Sequence, residues 1–561
     1  YGSDAVAGVV NNVLDTNFVG FQMRGRFHNW QHFNRDDHKF SMKYGENFNG
    51  GATNVSMHFS YYQRDRVEGS EDEIMGRCDY GDLVPAQFDS AFNRCSSNSA
   101  FGQFDMSGTA PYTDGSGEFL IKLASDPNCL LQLGDGVCAA SDSSGNYTHN
   151  WNGQRDVLGA VTRHNLFLFL NHELANGNEL FAEYGTYQSE YNGNRHSVSH
   201  FSSVKFVVPA TNPYNFTGKA LLMDNYRFVD AGARNVDNDK ETTRYLVGVR
   251  GDTNTGWDWE SAASYSVAEA FDVTHNRVSN TLMDQLLHRT DETAYNPFNG
   301  GGLYQTGFVS HNPVDYTPGG IGPALVDAYR ANERTMTTLD FRMSKPDIFT
   351  LTGGDVGMAF GLETRNETFM DDRDPRLDGT IVFTERRTNG QLSTSAGDTY
   401  PYVSDLANSS PTPDNDGSRN VNSVYIELDV PIVSPEMNIP VVEQFDLQLA
   451  YRQEAYSDFE GTGVPRIAFG WVVNDILKIR GSQQDTFRAP NMITINEQVV
   501  VRNNTRNDAA TLYAINLGID TDDADGRYAV QRQAVGSKNL IAEESENSTV
   551  GLVLQPTDNL T

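Results

Sequence analysis

This sequence predicts an all-β fold, a transmembrane antiparallel β-barrel with long loops on one rim, and three observations point to it. Side chains alternate apolar and polar with period two in segment after segment, and the parity carries across each turn. Tight turns and long irregular stretches alternate between the segments. No apolar run approaches the ~18 residues that a spanning helix needs. The longest clean one is Leu166-Phe167-Leu168-Phe169-Leu170, so a helical membrane protein is excluded. A mean hydropathy of -0.50 is compatible with a barrel, because half of each strand faces a wet lumen. The 50 glycines, 25 tyrosines and 31 phenylalanines suit turns, strands and interfacial aromatic girdles. A formal charge of -32 excludes nucleic acid as a partner, since phosphate binding needs a basic field.

Taken in order, the first strand sets Phe21, Met23, Gly25 and Phe27 against Gln22, Arg24, Arg26 and His28. A connection around Trp30 to Asp37 leads to the second, with Phe40, Met42 and Tyr44 opposite Ser41 and Lys43, and Asn49-Gly50-Gly51 turns it. The third opposes Val55, Met57, Phe59 and Tyr61 to Ser56, His58, Ser60 and Tyr62. The irregular stretch that follows, about Asp65 to Asp156, is too long for a compact soluble domain. Strand four (about Val161–Leu174) turns at Ala175-Asn176-Gly177-Asn178 into strand five (Leu180–Tyr191), and a long loop runs to about Lys240. Strand six (Thr243–Gly251) turns at Asn254-Thr255-Gly256 into strand seven (Trp257–Ala268), with a loop to Asn332.

Strand eight carries Leu339, Phe341 and Met343 and turns at Gly353-Gly354 into strand nine, with Val356, Met358, Phe360 and Leu362. After a loop to about Asn420 comes strand ten (Val424 to Val430), then the link Pro435–Val442 and strand eleven. There Phe445, Leu447, Leu449 and Tyr451 face away from Asp446, Gln448, Ala450 and Arg452. Strands twelve (Arg466–Val473) and thirteen (Ile476–Phe487) join at Asn474-Asp475. A loop to about Ala542 precedes strand fourteen (Ser545–Gln555), and Leu560-Thr561 reads as the first step of another.

Five short motifs add a family resemblance. The chain opens on Tyr1-Gly2-Ser3-Asp4-Ala5-Val6-Ala7-Gly8-Val9-Val10-Asn11. Later come Val208-Pro209-Ala210-Thr211-Asn212-Pro213-Tyr214-Asn215, Asp485-Thr486-Phe487-Arg488-Ala489-Pro490-Asn491, the stretch Gly536–Ser545, and Leu554–Leu560. In this order and spacing they resemble the TonB-dependent outer-membrane receptors, with Tyr1, Gly2, Ser3, Asp4, Ala5, Gly8 and Asn11 similar to the closing segment of the plug. The resemblance implies a plug ending at residue 17 and a barrel over residues 18–561. Plugged outer-membrane transporters close at 22 strands. About fourteen fit here, so it also implies that most of the plug, the TonB box and the last strands lie outside this chain. Such a segment, with two open edges, is expected not to insert and close alone.

The function implied is active import of a scarce nutrient across a bacterial outer membrane. Energy comes from a TonB–ExbB–ExbD complex through the N-terminal part that precedes this chain. The partners implied are membrane lipid, lipopolysaccharide and a small nutrient ligand, around a monomeric barrel with no cofactor and no catalysis. Many siderophore receptors have two glycines where this chain has Ala7-Gly8. Ala-Gly followed by Val-Val-Asn resembles a subgroup associated with carbohydrates, so an oligosaccharide or related organic nutrient is expected. A ferric siderophore is the first alternative and passage through a passive, plugless porin the second.

All four cysteines, Cys78, Cys95, Cys129 and Cys138, fall in one long loop, which reads as two disulfides in an oxidising compartment. Pairing in sequence order, Cys78–Cys95 and Cys129–Cys138, closes the shortest loops and is favoured over the two other connectivities. Spacings of 17 and 9 residues do not suit a four-thiolate zinc site. The acidic clusters Asp520–Gly526 and Asp414–Gly417 lack the closing Glu of an EF-hand and read as solvated loop surface. His28 and His32 do not share a face, and no metal site is expected. No nucleophile-elbow, P-loop or H-E-x-x-H element is present, so no catalytic residue is assigned. Loop aromatics are the candidate ligand contacts: Tyr214, Phe216, Tyr295, Phe298 and Tyr304, with packing of loop on loop as the competing role. The lumen-facing Arg24, Arg26, Asp446 and Arg452 are expected to pair with each other or hold the plug rather than touch substrate.

Overall fold

A strand that crosses lipid must give every N–H and C=O a partner on its neighbours, and this chain pairs its strands in a single meander. The computed structural model describes residues 12–30, 32–33, 35–106, 117–134, 136–200, 206–302, 311–314, 318–384, 399–507, 513, 517 and 527–556. Fourteen strands form one antiparallel sheet in strict chain order. They are β1 (Gly20–Trp30), β2 (Arg35–Phe48), β3 (Thr53–Arg64), β4 (Ala160–Glu173), β5 (Glu179–Arg195), β6 (Arg234–Asp252) and β7 (Asp258–Val278), followed by β8 (Leu325–Leu351), β9 (Gly354–Arg373), β10 (Asn415–Val433), β11 (Gln444–Tyr456), β12 (Thr462–Asn474), β13 (Leu477–Arg488) and β14 (Glu543–Leu554). The five longest connections, 65–159, 196–233, 279–324, 374–414 and 489–542, all leave from one rim. The opposite rim carries the turns, the longest of them 434–443. Among the described residues β1 and β14 do not pair with each other, so the sheet has two open edges.

Register explains the alternation. Met23 faces Met42, Met42 faces Phe59 and Phe59 faces Leu166. Farther round, Leu362 faces Val424, Leu428 faces Leu449, Leu449 faces Ile467 and Ile479 faces Leu552. These side chains make an apolar outer band, with Val247, Leu339, Leu362 and Ile467 each more than half exposed. Tyr184, Tyr245 and Tyr265 sit side by side on three successive strands of that band. The inner face carries the charges and several aromatics laid over glycines: Phe167 over Gly185, Phe181 over Gly248, Tyr425 over Gly361. A Cβ on Gly361 would lie 2.3 Å from the Tyr425 ring, so the close approach requires glycine. Pro346 and Pro431, which have no N–H to give a ladder, fall at register shifts near the turn rim.

All fourteen expected strands are present, but the loop-rim ends run longer than the sequence pattern predicts. Spanning lipid takes about 9–11 residues, whereas β8 has 27, β7 has 21 and β9 has 20. The excess stands above the apolar band, where both faces of the sheet are wet and the alternation disappears although pairing continues. One expected loop is corrected by this: Asn415, Asp416 and Gly417 begin β10, and only Asp414 precedes it.

Two further features position the site. Residues 12–18 lie against the inner face near the turn rim. There Lys43 meets Asp15 at 3.1 Å, Ser56 and Asn171 each donate to the Thr16 carbonyl at 3.0 Å, and Asn54 donates to the Phe18 carbonyl at 3.3 Å. The plug-end residues Tyr1, Gly2, Ser3, Asp4, Ala5, Gly8 and Asn11 are outside the described residues, as is the acidic cluster 520–526. At the other rim, four of the five long loops share one hydrophobic core and form a cap. Its six-stranded sheet takes strands from two loops, in the order 207–208, 221–224, 103–105, 118–123, 137–141, 129–134.

Leu449→Arg in the full-length protein is expected to cost about 2–4 kcal/mol of folding stability in lipid vesicles, the cost of a cation at mid-depth on the lipid face. The inward neighbour Gln448 is a poor control, because it bridges Glu427 and Arg466. Ser482 faces Ala468 and Thr549 across the inner wall, and Ser482→Arg is expected to change stability by about 0.5 kcal/mol or less.

Candidate ligand site under the loop cap

The inner wall is a ladder of opposite charges that crosses strands. Glu260 on β7 lies 2.7 Å from Arg342 on β8 and 4.0 Å from Arg250 on β6, and Arg250 reaches Glu179 on β5 at 2.7 Å. Arg244 pairs with Glu183 at 2.7 Å. On the far wall Arg365 meets Glu363 and Glu367, while Arg452 meets Glu454 at 2.5 Å and Glu363 at 3.8 Å. Arg452 thus pairs with these two glutamates and not with Asp446, which accepts from Gln444 at 2.6 Å. Arg24 and Arg26 make no ion pair among the described residues. Arg250, Glu260, Arg342 and Tyr425 line a concavity in this wall near the turn rim.

Above the wall, the cap is held by polar groups with defined partners. Asn212 donates to the Leu287 carbonyl at 2.9 Å and the Tyr295 carbonyl at 3.2 Å, tying loop 196–233 to loop 279–324, and its Oδ1 accepts from the Tyr214 N–H. Asn215 donates to three carbonyls of its own loop, those of Val208, Pro209 and Lys219. The motif that carries the family resemblance here is thus a clamp between loops. Helix α1 (Asn280–Leu287) is capped by Ser279, whose hydroxyl also donates to Asp405 at 2.7 Å, and Arg376 closes the pair, joining loop 279–324 to loop 374–414. The late-strand motif behaves alike. Phe487 is fully buried edge-on to Tyr456, and Arg419 donates to the Pro490 carbonyl at 2.7 Å.

The cysteines form Cys78–Cys95 and Cys129–Cys138, both in loop 65–159 and the second joining two neighbouring cap strands. His32 sits 2.5 Å from Asp72, and no group of three metal-ligating side chains is found among the described residues.

The candidate ligand aromatics are brought together, but as cap core. Tyr295 is fully buried, sharing its hydroxyl with Tyr226 at 2.8 Å and donating to Asp230 at 3.2 Å. Phe298 is 4% exposed, packed against Phe104 and Phe216. Both rings fill the apolar centre of the loops, the packing role weighed against ligand contact. Tyr214 and Phe216 are half-buried at the edge of that core, Tyr214 donating to the Glu292 carbonyl at 2.8 Å. Tyr304 lies outside the described residues. Sequence reasoning missed Asn212, Asp230 and Asp405, which hold the cap together; Asn212 stood in a quoted motif, while nothing local marked the two acids.

A sheet with an apolar outer band, a charged inner wall and all its long loops on one side is the wall of an outer-membrane β-barrel. The family model described as "TonB dependent receptor-like, beta-barrel" matches residues 272–561, just over half of the chain. The chain belongs to that family.

The chain is similar to several solved structures at low identity. The ferric enterobactin receptor PfeA of Pseudomonas aeruginosa, in a mutant form, is 11% identical over 98% of this chain and 53% of its own, with a TM-score of 0.47. The siderophore receptor PirA from Acinetobacter baumannii is 12% identical over 99% of this chain and 53% of its own, also at 0.47. The RagAB peptide transporter is 8% identical over 92% and 42%, at 0.40. The chain spans about half the length of the two receptors. No curated protein matches it.

Asn212→Ala leaves two carbonyls of the neighbouring loop without their donor and is expected to loosen the cap by about 1–3 kcal/mol. Faster protease nicking within 279–324, with the strands unaffected, is the readout. Burial raises the Asp230 carboxyl to about 6 from the ordinary 3.8. Between those values the folded cap binds a proton that the unfolded chain has released, so cap stability grows as pH falls through about 6 towards 4 and is lower at neutral pH. Hydrogen exchange around 228–231, corrected for intrinsic rates, is expected to show slower opening at about pH 5 than at about pH 7. Asp230→Asn is expected to abolish the difference.

Proposed function

We propose that this chain forms the wall and loop cap of an outer-membrane importer that admits a scarce nutrient only when energised. The observation that carries the reading is the family match, on a sheet whose inner wall is charged and whose mouth is roofed by packed loops. In this reading residues 1–17 end a plug and residues 18–561 belong to the barrel. Lipid and lipopolysaccharide surround one monomeric barrel, and a TonB–ExbB–ExbD complex acts on the plug from the inner side. Import of this kind makes and breaks no covalent bond, so no catalytic group is assigned. A roofed mouth and a segment already lying across the inner wall support gating over an open pore.

The oligosaccharide expectation from Ala7-Gly8 gains no support from the comparisons, in which the named receptors take ferric enterobactin or siderophores. At 11% and 12% identity those names set no substrate for this chain, and a ferric siderophore stands at least level with a sugar.

In cells making the complete receptor, uptake of the nutrient is expected to stop when TonB is deleted or the proton gradient is collapsed. Uptake at an unchanged rate in those cells would mean a passive porin. Running the assay with a radiolabelled ferric chelate and with a labelled oligosaccharide assigns the substrate in the same experiment.

A further inference from the structure

In a chain of formal charge -32, three arginines come together at the loop rim of the inner face, and among the described residues none of them has a carboxylate in contact. Arg195 at the end of β5 and Arg234 at the start of β6 are direct register partners. Like charges placed opposite one another destabilise a sheet. Arg277 joins them from the end of β7, where the register shifts between Thr274 and Arg277 and Asn276 adopts a left-handed φ of 56°. A bulge of this kind re-aims a side chain at some local cost, and such features gather at functional sites.

The partners these arginines do have are neutral. Arg234 donates to the His196 carbonyl at 3.0 Å and contacts the His196 ring at 3.2 Å. Arg277 is 8% exposed and donates one N–H to the Ser409 hydroxyl, while its buried Nε has no partner among the described residues. Arg195 is exposed, and its side chain makes no hydrogen bond or ion pair among the described residues. Burial, together with the neighbouring positive charges, pulls both Arg234 and Arg277 down to about 10. Asp272 and Asp374 are the carboxylates whose fields reach the cluster, and neither pairs with it. Burial and the charge of Arg227 hold His196 down to about 3, so the ring beside Arg234 is neutral.

We propose that Arg195, Arg234 and Arg277 form a binding site for an oxyanion, a carboxylate or phosphate, carried by the imported nutrient. The inference rests on the transport reading and narrows it: the substrate is anionic, which a neutral oligosaccharide is not. Lipopolysaccharide phosphate is the other local source of this chemistry, but it lies against the outer face of the wall and the trio is on the inner one. The exposed Arg195 gives the anion its way in, and the buried Nε of Arg277 supplies an unused donor at the far end. Three guanidiniums converging on one oxyanion would replace mutual repulsion by charge-assisted hydrogen bonds.

The test is calorimetric titration of the purified complete receptor with citrate, with inorganic phosphate and with neutral raffinose. Citrate or phosphate is expected to bind and raffinose not to, with binding weakened by added salt. Arg195→Gln, at an exposed position that leaves the cap folded, is expected to weaken anion binding about tenfold or more, the scale of one charge-assisted hydrogen bond. Arg195→Lys is expected to recover most of it. Anion binding unchanged in Arg195→Gln, or no anion binding by the wild type, would overturn the proposal. Because the titration needs no energy source, it succeeds or fails independently of whether uptake depends on TonB.

Discussion

Hydrocarbon offers no hydrogen bonds, and that constraint shapes every level of this molecule. Each strand from β2 to β13 satisfies its backbone on the strands before and after it, so the chain can only meander. Once the ladder is fixed, period-two side chains have only two destinations. Apolar residues meet lipid, and charges on the inner wall pair from strand to strand, as Glu260 does with arginines on both neighbouring strands. The same constraint makes the unpaired edges of β1 and β14 untenable in lipid unless further strands complete them.

Above the bilayer the rules change. The strands of the loop rim continue as a wet wall, and the loops build a core of their own from aromatics that would otherwise be exposed. Tyr226, Phe228, Tyr295 and Phe298 fill that core, while Asn212 and Asp405 join one loop to the next. A cap made this way is more than a set of independent flaps. Perturbing one clamp loosens neighbouring loops together.

What could be read from the sequence follows from where contrast exists. Beside lipid, one face is greasy and the other wet, so strands such as 445–452 announce themselves. In 269–278 or 415–423 both faces are wet, and the pairing shows only once the register is known. The cysteine pairs were legible because four cysteines in one loop leave few short closures. The core role of Tyr295 and Phe298 was not legible, because an aromatic among Asn, Pro and Gly looks the same whether it awaits a ligand or a core. The arginine trio was not legible: Arg195, Arg234 and Arg277 are far apart in sequence, and only strand register and one bulge bring them side by side.

The claim that everything else requires is that the inner and outer faces are as assigned. Since the four cysteines are paired, a single added cysteine can carry a nitroxide label. Labels at Val424 and Ser423, adjacent on β10, in the complete receptor reconstituted in bilayers compare the two faces directly. The account predicts oxygen-dominated relaxation at 424 and relaxation by a water-soluble nickel chelate at 423. Equal access of the nickel chelate at both positions, or the reverse order, would contradict it.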